Sequence, residues 1–362
     1  LDADLEGTPG RLPGAAAVAG AFEPGRPEPP AGPEPLPAPA RGPWRTAFRR
    51  LRRDRTAMTA GAVFLVIVVA CLLAPLYASY AGTDPFRSNL SGRIVVDGAR
   101  VPIMQPSSTG LGLGVTPIGP TWNPRAYMLG ADSQGRDVAA RLLYGGRNSL
   151  LIAGSATLIA LALATLLGVS AGFFGGVVDL VLSRILDVLW AFPVYLLAIS
   201  LSIILISSTI EIGPVRITAG SLILPIAIIG IIYVPYVARP IRGEVLRLKQ
   251  AEFVLAAIGL GVPAWRILLR DILPNVMTTL IVFVPILMAL NIVTESALSF
   301  LSIGVQPPDA SWGTIIQDGK SLLYTRPVVA LAPGLAIVAT VLSLNVLGDG
   351  VRDALDPRAR IR

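Results

Sequence analysis

The chain has 362 residues, 53% hydrophobic and 15% charged, with a mean hydropathy of +0.67. That balance excludes an ordinary soluble domain and predicts an all-α polytopic membrane protein. A net charge of +7 would suggest nucleic acid in a soluble chain; here lipid headgroups and topology account for it, and no nucleic-acid partner is expected.

One cysteine, Cys71, and no histidine remove a disulfide, a Cys-based or His-ligated metal site, and Ser-His-Asp chemistry. No metal site is expected. Leu1 in place of Met reads as a trimmed N-terminus or a non-ATG start written literally.

Residues 1–43 are rich in Pro, Ala, Gly and Glu and predict a disordered cytoplasmic tail. In residues 44–55, WRTAFRRLRRDR, an apolar stripe of Trp44, Phe48 and Leu51 is surrounded by arginines. This predicts an amphipathic helix lying in the membrane interface. The first transmembrane helix follows over residues 56–80. An external insert occupies 81–146; within it Asp97-Gly98 separates two β-prone runs between Gly92 and Met104, a hairpin signal. A core of five further transmembrane helices is assigned to 147–350 and a cytoplasmic tail to 351–362.

Six spanning segments are expected, near 57–80, 148–173, 180–206, 218–239, 276–303 and 327–348. The arginines before the first span place the N-terminus inside, and an even number of spans returns the C-terminus there, where Arg352, Arg358, Arg360 and Arg362 agree. One region disagrees: the outer insert and the start of the core carry Arg136, Arg141 and Arg147.

The polar break EFVLAAIGLGVPAWRILLRDILPN, Glu252 to Asn275, falls on the inner face. It predicts a short helix from Ala251 to Leu260, stopped at Gly261, and a second from Trp265 to Ile272 leading to Pro274. The small residues Ala256, Ala257, Gly259 and Gly261 make the first helix thin on one side, suited to a groove on a partner. Arg184 and Asp187, three apart within the third span, are expected to form an intramembrane ion pair. Glu295 is an acid deep in an apolar run, with Asn291 and Thr294 within one turn. These three, with Trp190 and Tyr236, are the candidates for the wall or gate of a pathway; hydrogen bonding between helices is the alternative for Asn291 and Thr294. Gly319-Lys320-Ser321 mimics the end of a phosphate loop, but Thr314 stands where the leading glycine belongs, so no ATP site is expected.

The polar break resembles the EAA loop of ABC-transporter permease subunits: E-A-A, three residues, glycine, nine residues, then I-x-L-P. Leu255-Ala256-Ala257 matches the triplet, Gly261 the glycine and Leu273-Pro274 the close. Leu255 and Asp271 depart from the pattern, and Glu252 supplies an acid just upstream. LGADSQGRDVAARLLYGGRNSL (Leu129–Leu150), DLVLSRILDVLWAFPVYLLAIS (Asp179–Ser200), TESALSFLSIGVQPPDASWGTIIQDGKSLL (Thr294–Leu323) and GDGVRDALDPR (Gly348–Arg358) are similar to the C-type half of dipeptide/oligopeptide/nickel permeases.

The resemblance implies a type I ABC importer permease fold with its coupling loop at 251–275. Glu252, Phe253, Ala256, Ala257, Gly259, Gly261 and Pro274 would dock an ATPase. It implies a second, B-type permease, two cytosolic ATPases that bind ATP and Mg, an external substrate-binding protein and a bacterial cytoplasmic (inner) membrane. This chain itself would bind no cofactor and catalyse no reaction. Peptide cargo is expected, with nickel or another small solute as the alternative. A secondary transporter driven by an ion gradient is the competing class, and a membrane scaffold or receptor a third.

Overall fold

The computed structural model describes residues 43–355, apart from 97, 108–113, 126, 207–209, 213, 214, 218 and 219. The expected disordered tail up to residue 42, the turn residue Asp97, and Arg358, Arg360 and Arg362 lie outside the described residues.

Helix α1 (Pro43–Leu51) precedes α2 (Arg55–Leu72). The Asp54 carboxylate caps α2, accepting from the Thr56 and Ala57 amides at 2.9 and 3.1 Å. The expected first span is divided at Leu73, where α3 (Ala74–Ala81) begins with proline in its first turn and ends at Gly82, φ +64°. Strands β1 (Arg93–Val96) and β2 (Ala99–Pro102) pair antiparallel, with Val96 opposite Ala99 and Gly98 at φ +82°. A second antiparallel pair follows, β3 (Met104–Pro106) with β4 (Val115–Pro117).

The central helix is α4 (Val138–Phe174). Beyond Gly175, α5 (Gly176–Ala191) and α6 (Val194–Ile206) meet at an 89° bend around Pro193, so the third segment is two helices rather than one straight one. The antiparallel pair β5 (Ile210–Ile212) and β6 (Val215–Ile217) leads to α7 (Ile223–Ile232) and α8 (Val234–Lys249), bent by 41° where Pro235 enters the first turn of α8. Then come α9 (Glu252–Gly259), α10 (Ala264–Ile267), a π-helical turn (Leu268–Ile272), α11 (Leu273–Phe300), α12 (Trp312–Gly319) and α13 (Val328–Leu355). Among the described residues four helices are long and apolar enough to cross a membrane, and six spans result when each bent pair counts as one.

Small residues set the packing. Ala153, Ala156, Ala160 and Ala164 form a fully buried stripe along α4. The stripe continues through Gly168 and Gly172, where α4 meets α8. A side chain at Gly168 would stand 2.6 Å from the Ala238 carbonyl oxygen, and one at Gly172 2.8 Å from Val245 Cβ. This small-xxx-small spacing lets two backbones approach where hydrocarbon outside gives no hydrophobic drive to associate.

Candidate coupling and translocation surfaces

The coupling candidate is α9. It opens at Ala251 with no side-chain cap, and Glu252 in its first turn complements the positive helix end. It closes in a Schellman motif: Gly261, at φ +74°, donates to the Ile258 carbonyl at 2.9 Å, and Val262 donates to the Ala257 carbonyl at 3.0 Å. Pro263 then starts α10. Val254, 1% exposed, anchors the helix in the same apolar core as Leu248, Ile267 and Ile272. The other side is open. Phe253, Leu255, Ile258 and Leu260 are exposed, Leu260 at 83%, and Trp265 and Leu269 extend the patch. Glu252, Ala256, Gly259, Gly261 and Pro274 are exposed as well. Ala257 is not part of the open face: it is half-buried against the core. The second helix of the loop runs into the fifth span at Pro274, through the π turn into α11, with Asn275 Nδ2 donating to the Asp271 carbonyl at 2.6 Å.

The expected Arg184–Asp187 ion pair is present but long: Arg184 Nη1 lies 4.0 Å from Asp187 Oδ2, and both side chains are exposed. Asp187 also accepts from Arg239 Nη2 on α8, closer at 2.9 Å. Two residues three apart on an outward face reach each other only along the surface, and α8 brings a cation closer. Arg239 also lies 5.0 Å over the Trp190 ring. Trp190 stacks on Tyr236, centroids 6.5 Å apart, and Tyr236 meets Phe283 edge-on at 6.0 Å. Trp190 and Tyr236 are therefore brought together, Trp190 exposed and Tyr236 half-buried against the core.

Asn291, Thr294 and Glu295 go the other way. All three are at most 1% exposed. Asn291 Nδ2 donates to Thr157 Oγ1 on α4 at 2.9 Å, and the Tyr233 and Thr294 hydroxyls are 2.8 Å apart. Glu295 accepts from Ser149 Oγ on α4 and from Ser299 Oγ, each at 2.7 Å. Those hydroxyls in turn accept from the Trp312 and Val305 amides. Within this chain these groups are enclosed and tie helices together, which is the alternative reading for Asn291 and Thr294 and extends to Glu295. Ser149 and Ser299 escaped sequence reasoning because isolated serines in apolar runs carry no signal of their own.

Two of the three discordant arginines, Arg136 and Arg141, find an explanation. Arg136 bonds Asp132 at 2.7 Å and Asp318 at 2.8 Å; Arg141 bonds Asp318 at 3.0 Å and the Pro85 carbonyl at 3.1 Å. Arg141 Nε stands 3.4 Å from Asp132 without hydrogen-bond geometry. Two buried cations and two acids make a neutral cluster, so neither arginine counts as free positive charge. Burial pushes the Asp318 carboxyl above its ordinary value, with Arg141 and Arg136 opposing. Burial likewise raises Asp137, which caps α4 through the Ala139 and Ala140 amides.

Residues 164–361 match the family described as "Binding-protein-dependent transport system inner membrane component", and residues 42–91 match the N-terminal TM domain of oligopeptide transport permease C. The glutathione transport system permease protein GsiD of Pectobacterium atrosepticum is 34% identical over 320 residues, 88% of this chain and 93% of that protein. The chain belongs to the binding-protein-dependent transport permease family. The dipeptide transport system permease protein DppC of Alkalihalophilus pseudofirmus is 33% identical over 320 residues, covering 88% and 91% of the two chains. A solved structure of the MetNI methionine ABC transporter in inward-facing conformations aligns at 16% identity and a TM-score of 0.47, over 59% of this chain and 96% of that one. As a member of this family the permease is an all-α membrane component of an ABC import system, working with a binding protein, ATPase subunits and a partner permease.

Proposed function

We propose that the chain is one half of the translocation pathway of an ATP-driven, binding-protein-dependent importer of di- and oligopeptides. The two relatives are named for glutathione and dipeptide transport, both peptide cargo. The observation that carries the reading is α9: a helix fastened by Val254 on one side and displaying large apolar side chains on the other, in a chain whose sequence has no phosphate loop. A chain without an ATP site that offers an apolar coupling helix needs an engine supplied from outside.

In this reading ATP and Mg belong to two cytosolic ATPases that take α9 into a groove. The second permease is of the B type, and an external binding protein delivers cargo. The protein sits in the bacterial cytoplasmic membrane with both termini and α9 inside and the β1–β2 hairpin outside. Arg49, Arg50, Arg52 and Arg53 before α2, with Arg55 at its start, support that orientation, and the neutral Arg136–Arg141 cluster removes most of the objection to it. The pathway wall lies on α5 and α8, with Trp190 and Tyr236 facing it. ATP binding closes the ATPases, shifts α9 and rocks the attached helices as a body.

The test is uptake of labelled di- and tripeptides by proteoliposomes holding the complex that co-purifies with this chain. ATP- and binding-protein-dependent uptake is expected, insensitive to ionophores. Uptake abolished by ionophore but indifferent to ATP would establish the ion-gradient class instead.

A further inference from the structure

Helices α5 and α8 carry charge and aromatic rings along one continuous face. On α5, Asp179, Ser183, Asp187 and Trp190 recur every three to four residues and so share a side of the helix. From α8, Arg242 Nη2 donates to Asp179 at 2.6 Å and Arg239 donates to Asp187 at 2.9 Å. A cavity of about 420 Å³ opens on this face, lined by Asp179, Ser183, Arg184, Asp187 and Arg242 among others. The charges here are not buried within the chain: the Arg184 side chain is 76% exposed, Asp187 51% and Arg239 40%. Charged groups exposed along a spanning segment do not face hydrocarbon; they face water or protein. Three arginines against two aspartates leave one positive charge in excess, and Arg184, held only at 4.0 Å from Asp187, is the cation with the loosest tie.

We propose that this α5–α8 face is a subsite for the free carboxylate of the transported peptide. Arg184 receives the carboxylate, and the Trp190–Tyr236 pair takes the adjoining side chain. The proposal rests on the peptide-importer reading above. An unmodified peptide presents a terminal carboxylate whatever its sequence, so a subsite of this kind reads the end and not the side chains. Water access keeps the grip weak, which suits a cargo that must move on.

Two measurements test it. In proteoliposomes holding the whole complex, KM is compared for a dipeptide and its C-terminally amidated form, with wild type and Arg184→Gln. The wild type should favour the free acid, and Arg184→Gln should raise its KM by up to roughly fivefold, the scale of one exposed ion pair, while leaving the amide unchanged. Equal KM for both peptides in wild type, or an unaltered ratio in the variant, overturns the subsite. No ATP-dependent peptide uptake by wild type sinks the importer reading itself, and the subsite with it. Separately, Ser183→Cys in a Cys71→Ala background should react with a charged thiol reagent, and the free dipeptide should protect it better than the amide. A cysteine unreactive in the assembled complex means that the second permease covers this face, which also overturns the proposal.

Discussion

Glu295 is enclosed by α4, α11 and the segment leading into α12, and its nearest donors are hydroxyls, not cations. Each serine both donates to the carboxylate and accepts a backbone amide, so one side chain ties together Val305, Trp312 and two helices. Glu295→Ala would leave two buried hydroxyls without their acceptor, at a cost on the order of 3 kcal/mol. Glu295→Gln keeps one acceptor oxygen and should cost less. Thermal unfolding of the detergent-purified complex checks both; an alanine variant as stable as wild type would show that the network contributes nothing. Close beside it, a Cβ at Gly313 would run into the Ser296 backbone, 2.8 Å from its Cα. Gly313→Ala should therefore destabilise by about 1–3 kcal/mol through overpacking alone. Sequence marked Glu295 as unusual but assigned it to the pathway, because an intramembrane acid reads alike whether it faces cargo or a serine cage. Only the distances separate the two.

Elements defined by local turn chemistry were legible. Gly98 marks the β1–β2 turn, Gly261 ends α9, and Pro263 starts α10, each through a backbone preference of the residue itself. Gly261→Val would force a β-branched residue into the left-handed region and cost about 1–2 kcal/mol, read as loss of helicity or protease resistance in the loop. Pro193 marks where α5 and α6 part, but neither the 89° size of that bend nor the π turn before α11 was legible. The same holds for Asp187, whose nearer partner came from α8 and stands closer than Arg184 three residues away. The Asp54 cap gives a pH test. Hydrogen bonds from Thr56, foremost, and from the Ala57 amide hold its carboxyl below the ordinary 3.8. Its contribution is thus full above pH 3.8 and fades as pH falls through the lower folded value. Asp54→Ala should lower the Tm at neutral pH, whereas Asp54→Asn should retain most of the cap and lose this part of the acid sensitivity.

On the scale of the whole molecule, α9 and the spans share one core. Val254 and Leu248 join the apolar cluster that also holds Ile241 and Val245 of α8, Ala160 and Ala164 of α4, and Val276 and Leu280 of α11. Close-packed interiors move as bodies rather than yielding locally, so a shift imposed on α9 reaches these helices together. The separating test must disturb the open face without disturbing that core. Ala257 is unsuitable, because it is half-buried and a bulky residue there would damage the fold itself. Gly259 is suitable: it is exposed, and a Cβ added there meets nothing within 4 Å. Gly259→Trp should insert in the membrane and unfold at the wild-type temperature, yet fail to fit a groove shaped for a thin helix. Phe253→Ala removes an exposed anchor from the same face. If α9 is the docking helix, either change should weaken ATPase binding by roughly thirtyfold, about 2 kcal/mol, the scale of an interface hot spot. Peptide uptake should fall with it, while any ATPase that stays bound continues to hydrolyse. Full uptake and full ATPase retention in Gly259→Trp would place the coupling contact elsewhere on the inner surface.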